Sequence, residues 1–283
     1  MKNLKAKVAV ITGGASGLGR AIADVCAREG MKIVIADIED QALHQTSSDL
    51  QQMGAQVLSV KCDVSKTADV QRLADKTYET FGACHLLFNN AGVAGGKRAW
   101  ETTESDWQWE LGVNLWGVIH GIRIFVPRML AQGDECYVIN TASVAGLLTP
   151  TMSASYNVSK HGVVALTETL YHDLNEVGAK IHAAVLCPAY VNTGIGESAR
   201  NRPGELQNQN ETMSADQQAR HELLKQALIK GKKTAADVAN DVFAAIAEDK
   251  FYILTHPRIL PSVQMRFDEI LNQRNPTNPM QTK

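Results

Sequence analysis

The chain has no apolar run of the roughly 20 residues that a bilayer core requires, so a helical membrane protein is not expected. It also lacks an excess of charge of either sign. A formal net charge of -2 over 283 residues gives no electrostatic reason to expect nucleic acid or an anionic membrane as partner. Cysteine is sparse: Cys26, Cys62, Cys84, Cys136 and Cys187 are odd in number, scattered, and without Cys-x-x-Cys spacing. That pattern excludes a disulfide scaffold and a zinc ribbon, and reads as small buried hydrophobes in a reducing compartment. No internal repeat, low-complexity block or metal-ligand cluster stands out. Met1-Lys2-Asn3-Leu4-Lys5 leads directly into a short apolar strand with no extended apolar stretch of the signal-peptide kind. A cytoplasmic protein is therefore expected.

A hydrophobic fraction of 45% suffices for a sizeable core, and the length suits one α/β domain over 1–283 with a late insertion. Short apolar runs recur at Val8 to Ile11, Ile33 to Ala36, Val57 to Val60, Leu86 to Phe88, Tyr137 to Ile139, Ile181 to Leu186 and Tyr252 to Leu254. Amphipathic stretches separate most of them. This rhythm predicts a doubly wound, Rossmann-type seven-stranded parallel sheet with helices on both faces. Leu18, Ile22, Val25 and Cys26 form one apolar helical stripe, a single helix is expected from about Asp106 to Arg123, and Thr234-Ala-Ala-Asp237 resembles a capping box ahead of Val238 to Ala247. From 194 to 233 the sequence turns polar, with a helical pattern around Gln217 to Ile229, as a lid over a ligand site would. The last strand breaks at Pro257, and a loose tail is expected over 275–283.

The first strand runs into Thr12-Gly13-Gly14-Ala15-Ser16-Gly17-Leu18-Gly19 and then a helix. Glycines at such a turn let the backbone approach a pyrophosphate, which the free N–H groups and positive helix end favour. Eighteen residues beyond Gly19, Asp37 closes the second strand, where a carboxylate bonds ribose hydroxyls and repels a 2′-phosphate. NAD is thus expected rather than NADP, with Arg20 able to reach a phosphate. Asp63-Val64 and Asn89-Asn90-Ala91-Gly92 end the third and fourth strands, on the side where open α/β sheets bind ligands. In Tyr156-Asn-Val-Ser-Lys160 the tyrosine and lysine lie four residues apart on one helical face. The ammonium can then sit beneath the phenol and lower its pKa.

Together, Thr12-Gly-x-x-x-Gly-x-Gly19, Asn89-Asn-Ala-Gly92, Asn114, Ser143 and Tyr156-x-x-x-Lys160 resemble the motif set of the short-chain dehydrogenase/reductase family, in its order and spacing. The resemblance implies catalytic roles for Asn114, Ser143, Tyr156 and Lys160. Ser143 donates to a substrate carbonyl, Tyr156 moves the proton, Lys160 binds nicotinamide ribose hydroxyls, and Asn114 holds a water that links Lys160 to solvent. It also implies dinucleotide contacts from Gly13, Ser16, Gly17, Leu18, Gly19, Asp37, Asp63, Val64, Asn90, Ala91, Gly92, Pro188, Val191 and Thr193, besides Tyr156 and Lys160. Where the family usually shows Pro-Gly, this chain has Pro188-Ala189. The helix carrying Asn114 and the helix of Tyr156 are expected to pack against partner subunits in a homodimer or homotetramer. Of Trp107, Trp109 and Trp116, two could face the core.

The expected function is an NAD(P)-dependent oxidoreductase interconverting a secondary alcohol and a ketone. Ala94, Leu147, Leu148, Met152 and Tyr190 would wall the substrate pocket around Ser143, implying a hydrophobic substrate, cyclic or aromatic. A catalytically silent dinucleotide-binding protein is the rival from another class, disfavoured because all four catalytic positions are filled. A nucleotide-sugar epimerase or dehydratase would need a further domain, and the segment between Thr193 and Thr234 is short for one.

Overall fold

Parallel pairing needs a long crossover between successive strands, and helices or helical turns supply it. In this computed structural model, which describes residues 1, 3–208 and 214–279, the seven strands are β1 (Val8–Thr12), β2 (Lys32–Asp37), β3 (Gln56–Lys61), β4 (Leu86–Asn89), β5 (Cys136–Thr141), β6 (Ile181–Leu186) and β7 (Tyr252–Ile253). They form one sheet in the order β3-β2-β1-β4-β5-β6-β7, with every neighbouring pair parallel. This is the doubly wound sheet expected from the sequence. Strand order reverses beside β1, so a crevice opens at the carboxyl ends of β1 and β4.

Residues alternate across β1. Ala9 and Ile11 join the layer under α1 (Gly17–Arg28), α2 (Asp40–Gln52) and α8 (Ala235–Ala247), where Ile22, Cys26, Leu43 and Val242 are buried. Val8 and Val10 face the opposite layer, under α3 (Thr67–Phe81), α5 (Gly117–Gln132) and α6 (Ala154–Glu176), with Leu73, Phe125 and Leu170. Both faces are dry, which is why the strand reads as an unbroken apolar run. At ~25 cal/mol per Å² of apolar surface removed from water, each of these buried Leu, Ile or Phe side chains contributes on the order of 2 kcal/mol.

The sequence expectations need three changes. The helix expected over Asp106 to Arg123 is α4 (Glu104–Leu111), a π-helical turn at Gly112–Trp116 and then α5. At the turn the Gly117 N–H returns to Gly112 O, five residues back. Only Trp109 of its tryptophans is buried, while Trp116 is exposed. The last strand excludes Leu254, and Pro257 does not end regular structure: a 3₁₀ turn, Pro257–Ile259, leads into α9 (Leu260–Leu271). Proline there starts a helix, since its missing N–H falls among groups that would be unpaired anyway. The polar segment folds into 3₁₀ turns at Gly194–Asn201 and Gly204–Leu206, then α7 (Ala215–Ile229), the helix expected around Gln217 to Ile229. Gln209 and Asn210 of its amide-rich stretch, and residues 280–283 of the tail, lie outside the described residues.

Candidate active site

The turn after β1 depends on its glycines. Gly13 and Gly17 have φ of +64° and +52°, a region costly for other residues. A Cβ on Gly19 would lie 2.0 Å from Gly13 O. Ser16 caps α1 without spending its side chain on the helix N–H groups, which leaves those donors aimed into the crevice. Asp37 braces the same turn: its Oδ2 accepts from the Ala15 N–H at 3.0 Å and its Oδ1 from the Glu39 N–H at 3.1 Å. Burial nevertheless raises its pKa. Arg20 does not reach toward a phosphate; it turns back to bond Asp24, Thr46 and Asp49, because its helical face is the one that meets α2.

The polar strand ends are tied to one another. Thr12 Oγ1 accepts from the N–H groups of Asn90 and Ala91 at 2.9 and 3.1 Å. The Asn90 amide donates to Thr12 O, and the buried Asn89 amide donates to Asn140. Asp63 accepts from the N–H and hydroxyl of Ser65. These bonds satisfy buried polar groups and fix the rim on which Asp63, Val64, Asn90, Ala91 and Gly92 stand.

Ser143, Tyr156, Lys160 and Asn114 come together beside that rim. The Ser143 hydroxyl accepts from the Ala145 N–H at 3.1 Å and donates to Pro188 O at 3.4 Å. Lys160 is 2% exposed; its Nζ donates to Thr141 O at 3.0 Å and lies 5.6 Å from the Tyr156 ring centroid. Burial draws the Lys160 pKa down to about 8. Burial also pushes Tyr156 up to about 12, against the Ser143 hydroxyl and with the help of Glu110. The expectation that Lys160 lowers the tyrosine pKa is therefore corrected, because desolvation outweighs it. Asn114 is fully buried in the π-helical turn. Its side chain accepts from the Val93 N–H at 2.8 Å and donates to Val93 O and Ser159 Oγ, so the amide is fully engaged in joining the Gly92 loop to α6.

One cavity of about 720 Å³ is lined by every expected dinucleotide contact except Gly19, which lies beneath the turn. Ser143, Tyr156, Lys160, Ala94, Met152 and Tyr190 share its walls. Leu147 and Leu148 do not: Leu147 packs with Val163, Val164 and Val185, and Leu148 lines a separate cleft against α9. The chain turns at the 3₁₀ segment Val144–Gly146 and carries both leucines behind the wall.

Spacing did not point to several residues on the cavity wall. Glu110 is one helical turn before Asn114 and 2% exposed. Its Oε1 accepts from the Ser155 hydroxyl at 3.0 Å, while Oε2 has no protein partner. Burial raises its pKa to about 7, aided by Asp106 and opposed by Ser155, the Gly95 N–H and Arg202. The segment from Gly194 onward closes over the cavity through charge contacts. Arg200 and Asn201 bond Glu39 at 2.5 and 2.7 Å. Lys97 and Arg202 each meet Asp106 at 2.6 Å, and Arg98 meets Asp216 at 2.6 Å. Burial pushes the Asp106 carboxyl up, but Lys97, the Thr103 N–H, Arg202 and Asn208 outweigh it and hold it well below the usual carboxylate range. The i, i+4 relation of Glu110 to Asn114 was the one available signal; the lid contacts left none, since their partners are far apart in sequence.

A family model described as short chain dehydrogenase matches residues 7–204. A relative from Lactiplantibacillus plantarum, "CLA biosynthesis dehydrogenase/reductase", is 34% identical over 277 residues, 98% of this chain and 97% of that protein. A "1-deoxy-11-beta-hydroxypentalenate dehydrogenase" of Streptomyces exfoliatus is 32% identical over 273 residues, 95% of this chain and 90% of that one. Among solved structures, a short chain dehydrogenase/reductase from Burkholderia phymatum in complex with NAD is 51% identical, covers 98% of both chains and gives a TM-score of 0.96.

Proposed function

The chain belongs to the short-chain dehydrogenase/reductase family, and from that premise we propose that it interconverts a secondary alcohol and a ketone with a nicotinamide dinucleotide, NAD in preference to NADP. One observation carries the reading: Ser143, Tyr156 and Lys160 share a cavity with the Gly13–Gly17 turn and Asp37. The residues fit the cofactor. Gly13, Ser16, Gly17 and Leu18 line the cavity at the start of α1, whose first N–H groups the Ser16 side chain leaves unbonded, and the Burkholderia phymatum relative binds NAD. The Asp37 carboxylate at the end of β2 favours ribose hydroxyls over a 2′-phosphate.

The nicotinamide ring supplies the hydride transfer, and the protein handles the proton. In ketone reduction Tyr156, kept protonated by its raised pKa, gives the phenolic proton to the carbonyl oxygen while Ser143 donates to the same oxygen. In alcohol oxidation Tyr156 must first give its own proton to solvent, and the resulting phenolate takes the hydroxyl proton. Each well-placed donor at that oxygen is worth about 3 kcal/mol at the transition state. Lys160 keeps one donor on Thr141 O and offers the others to the nicotinamide ribose. Ala94, Met152 and Tyr190 favour an apolar, cyclic or aromatic substrate body.

The whole chain is read as one domain, with the described parts of 194–233 forming a substrate lid over the cavity. The exposed Trp116 of the π-helical turn and Leu130 on α5, and Val158 and Tyr171 on α6, support a homodimer or homotetramer; a cytoplasmic location fits the five free, buried cysteines. The test is a cofactor-coupled absorbance screen of secondary alcohols and ketones, together with fluorescence titration by NADH and NADPH. NADH should bind more tightly and be turned over. Tight NADH binding with no turnover across the panel overturns the catalytic reading, and equal affinity for NADPH overturns the use of Asp37.

A further inference from the structure

Helix α7 lays Gln217, Arg220, His221, Leu224 and Leu228 along the cavity, a stripe at i, i+3, i+4 spacing that runs from polar to apolar. Cations elsewhere on the lid side of the cavity are matched. Lys97 and Arg202 hold Asp106, and Arg200 holds Glu39. α7 itself is pinned by other charges, Asp216 to Arg98 and Lys225 to Glu197. Among the described residues Arg220 differs: it faces the cavity, is partly buried, and has no ion pair or hydrogen bond. His221 beside it on the same wall likewise has no hydrogen-bond or ion-pair partner. A half-buried guanidinium without a counter-ion is costly, and its planar fork takes a carboxylate in two parallel bonds.

The rest of the wall suits the remainder of such a ligand. Met152, Tyr190, Leu206, Leu224 and Leu228 are apolar and line the same cavity. Of the acids on that side, Asp106 is already neutralised by Lys97 and Arg202. Glu110, with its pKa raised to about 7 by burial, is partly protonated at neutral pH. Asp216, one turn before Arg220, is held by Arg98, and Glu197, near His221, by Lys225, and none of these acids is paired with Arg220.

We propose that the substrate is an acid: an apolar hydroxy or oxo compound whose carboxylate is held by Arg220, with His221 beside it, while its carbinol or carbonyl carbon lies at Tyr156. This rests on the alcohol–ketone reading above and specifies which alcohols and ketones the site takes. It also assigns α7 a second role, since a carboxylate bound there draws the lid onto the cavity from within.

The experiment uses the full-length protein with NADH and a panel of aliphatic and alicyclic oxo acids, each paired with its methyl ester. The quantity read is the ratio of kcat/KM for acid to that for ester. Wild type should favour the acid, and Arg220→Gln should reduce the ratio by about ten- to a hundredfold, the value of a charge-assisted bidentate pair. Arg220→Lys should retain part of the preference. NADH fluorescence titration of each variant verifies that the fold persists. A wild-type ratio near one, or a ratio that survives Arg220→Gln unchanged, overturns the carboxylate site while the alcohol–ketone reading stands. Turnover of neither acids nor esters, with NADH still bound, overturns both.

Discussion

Replacing Glu110 with Gln probes a buried carboxyl beside the catalytic pair. The substitution keeps an oxygen for the Ser155 hydroxyl, which now bonds Oε1 at 3.0 Å, and removes only the capacity to ionise. Burial lifts this carboxyl from 4.5 to about 7. At ~1.4 kcal/mol per tenfold change in proton affinity, the ionised form therefore costs the folded protein about 3 kcal/mol relative to the unfolded chain. The sign follows from the raised value. The folded state binds the proton more tightly, so the stabilisation is complete below 4.5, declines as pH rises toward 7, and is gone above it. Urea unfolding of wild type and Glu110→Gln at intervals from pH 5 to 8 should show wild type losing on the order of 2 kcal/mol more than the variant. Parallel stability curves would refute the assignment. Activity supplies a second readout, because the Glu110 charge raises the proton affinity of both Tyr156 and Lys160. Its removal should shift the ionisation seen in kcat/KM for alcohol oxidation to lower pH.

Other substitutions address separate links. Tyr156→Phe should reduce kcat by about 10² to 10⁴, the range for loss of a general acid or base, with NADH affinity changed little by fluorescence titration. Gly19→Ala places a methyl 2.0 Å from Gly13 O; the turn must move, and NADH affinity should fall at least about tenfold. Asp106→Ala leaves Lys97 and Arg202 without their shared carboxylate. Breaking a buried pair costs about 3 kcal/mol, which a thermal melt would register, and KM for substrate should rise as the lid loosens.

Family resemblance joined Asn114 and Ser143 to Tyr156 and Lys160 as a set, whereas the sequence by itself determined the seven strands, the phosphate-type turn and the shared helical face of Tyr156 and Lys160. These are local requirements. A positive φ at Gly13 demands glycine wherever the turn folds, alternating burial of β1 demands an apolar run, and Tyr156 and Lys160 share a helical face by spacing alone. Tertiary structure decided what depends on distant neighbours. Whether Tyr156 is more or less acidic turns on how deeply the sheet and loops bury it, and desolvation won. Arg20 lies at the mouth of the turn in sequence but was claimed by Asp49 on another helix. Leu147 and Leu148 were removed from the cavity by a 3₁₀ turn that spacing does not foretell. The docking angle of α7, fixed by ion pairs to Arg98 and Glu197 from other segments, selected which of its faces lines the cavity. Arg220 faces inward for that reason, and no pattern within α7 could have said so.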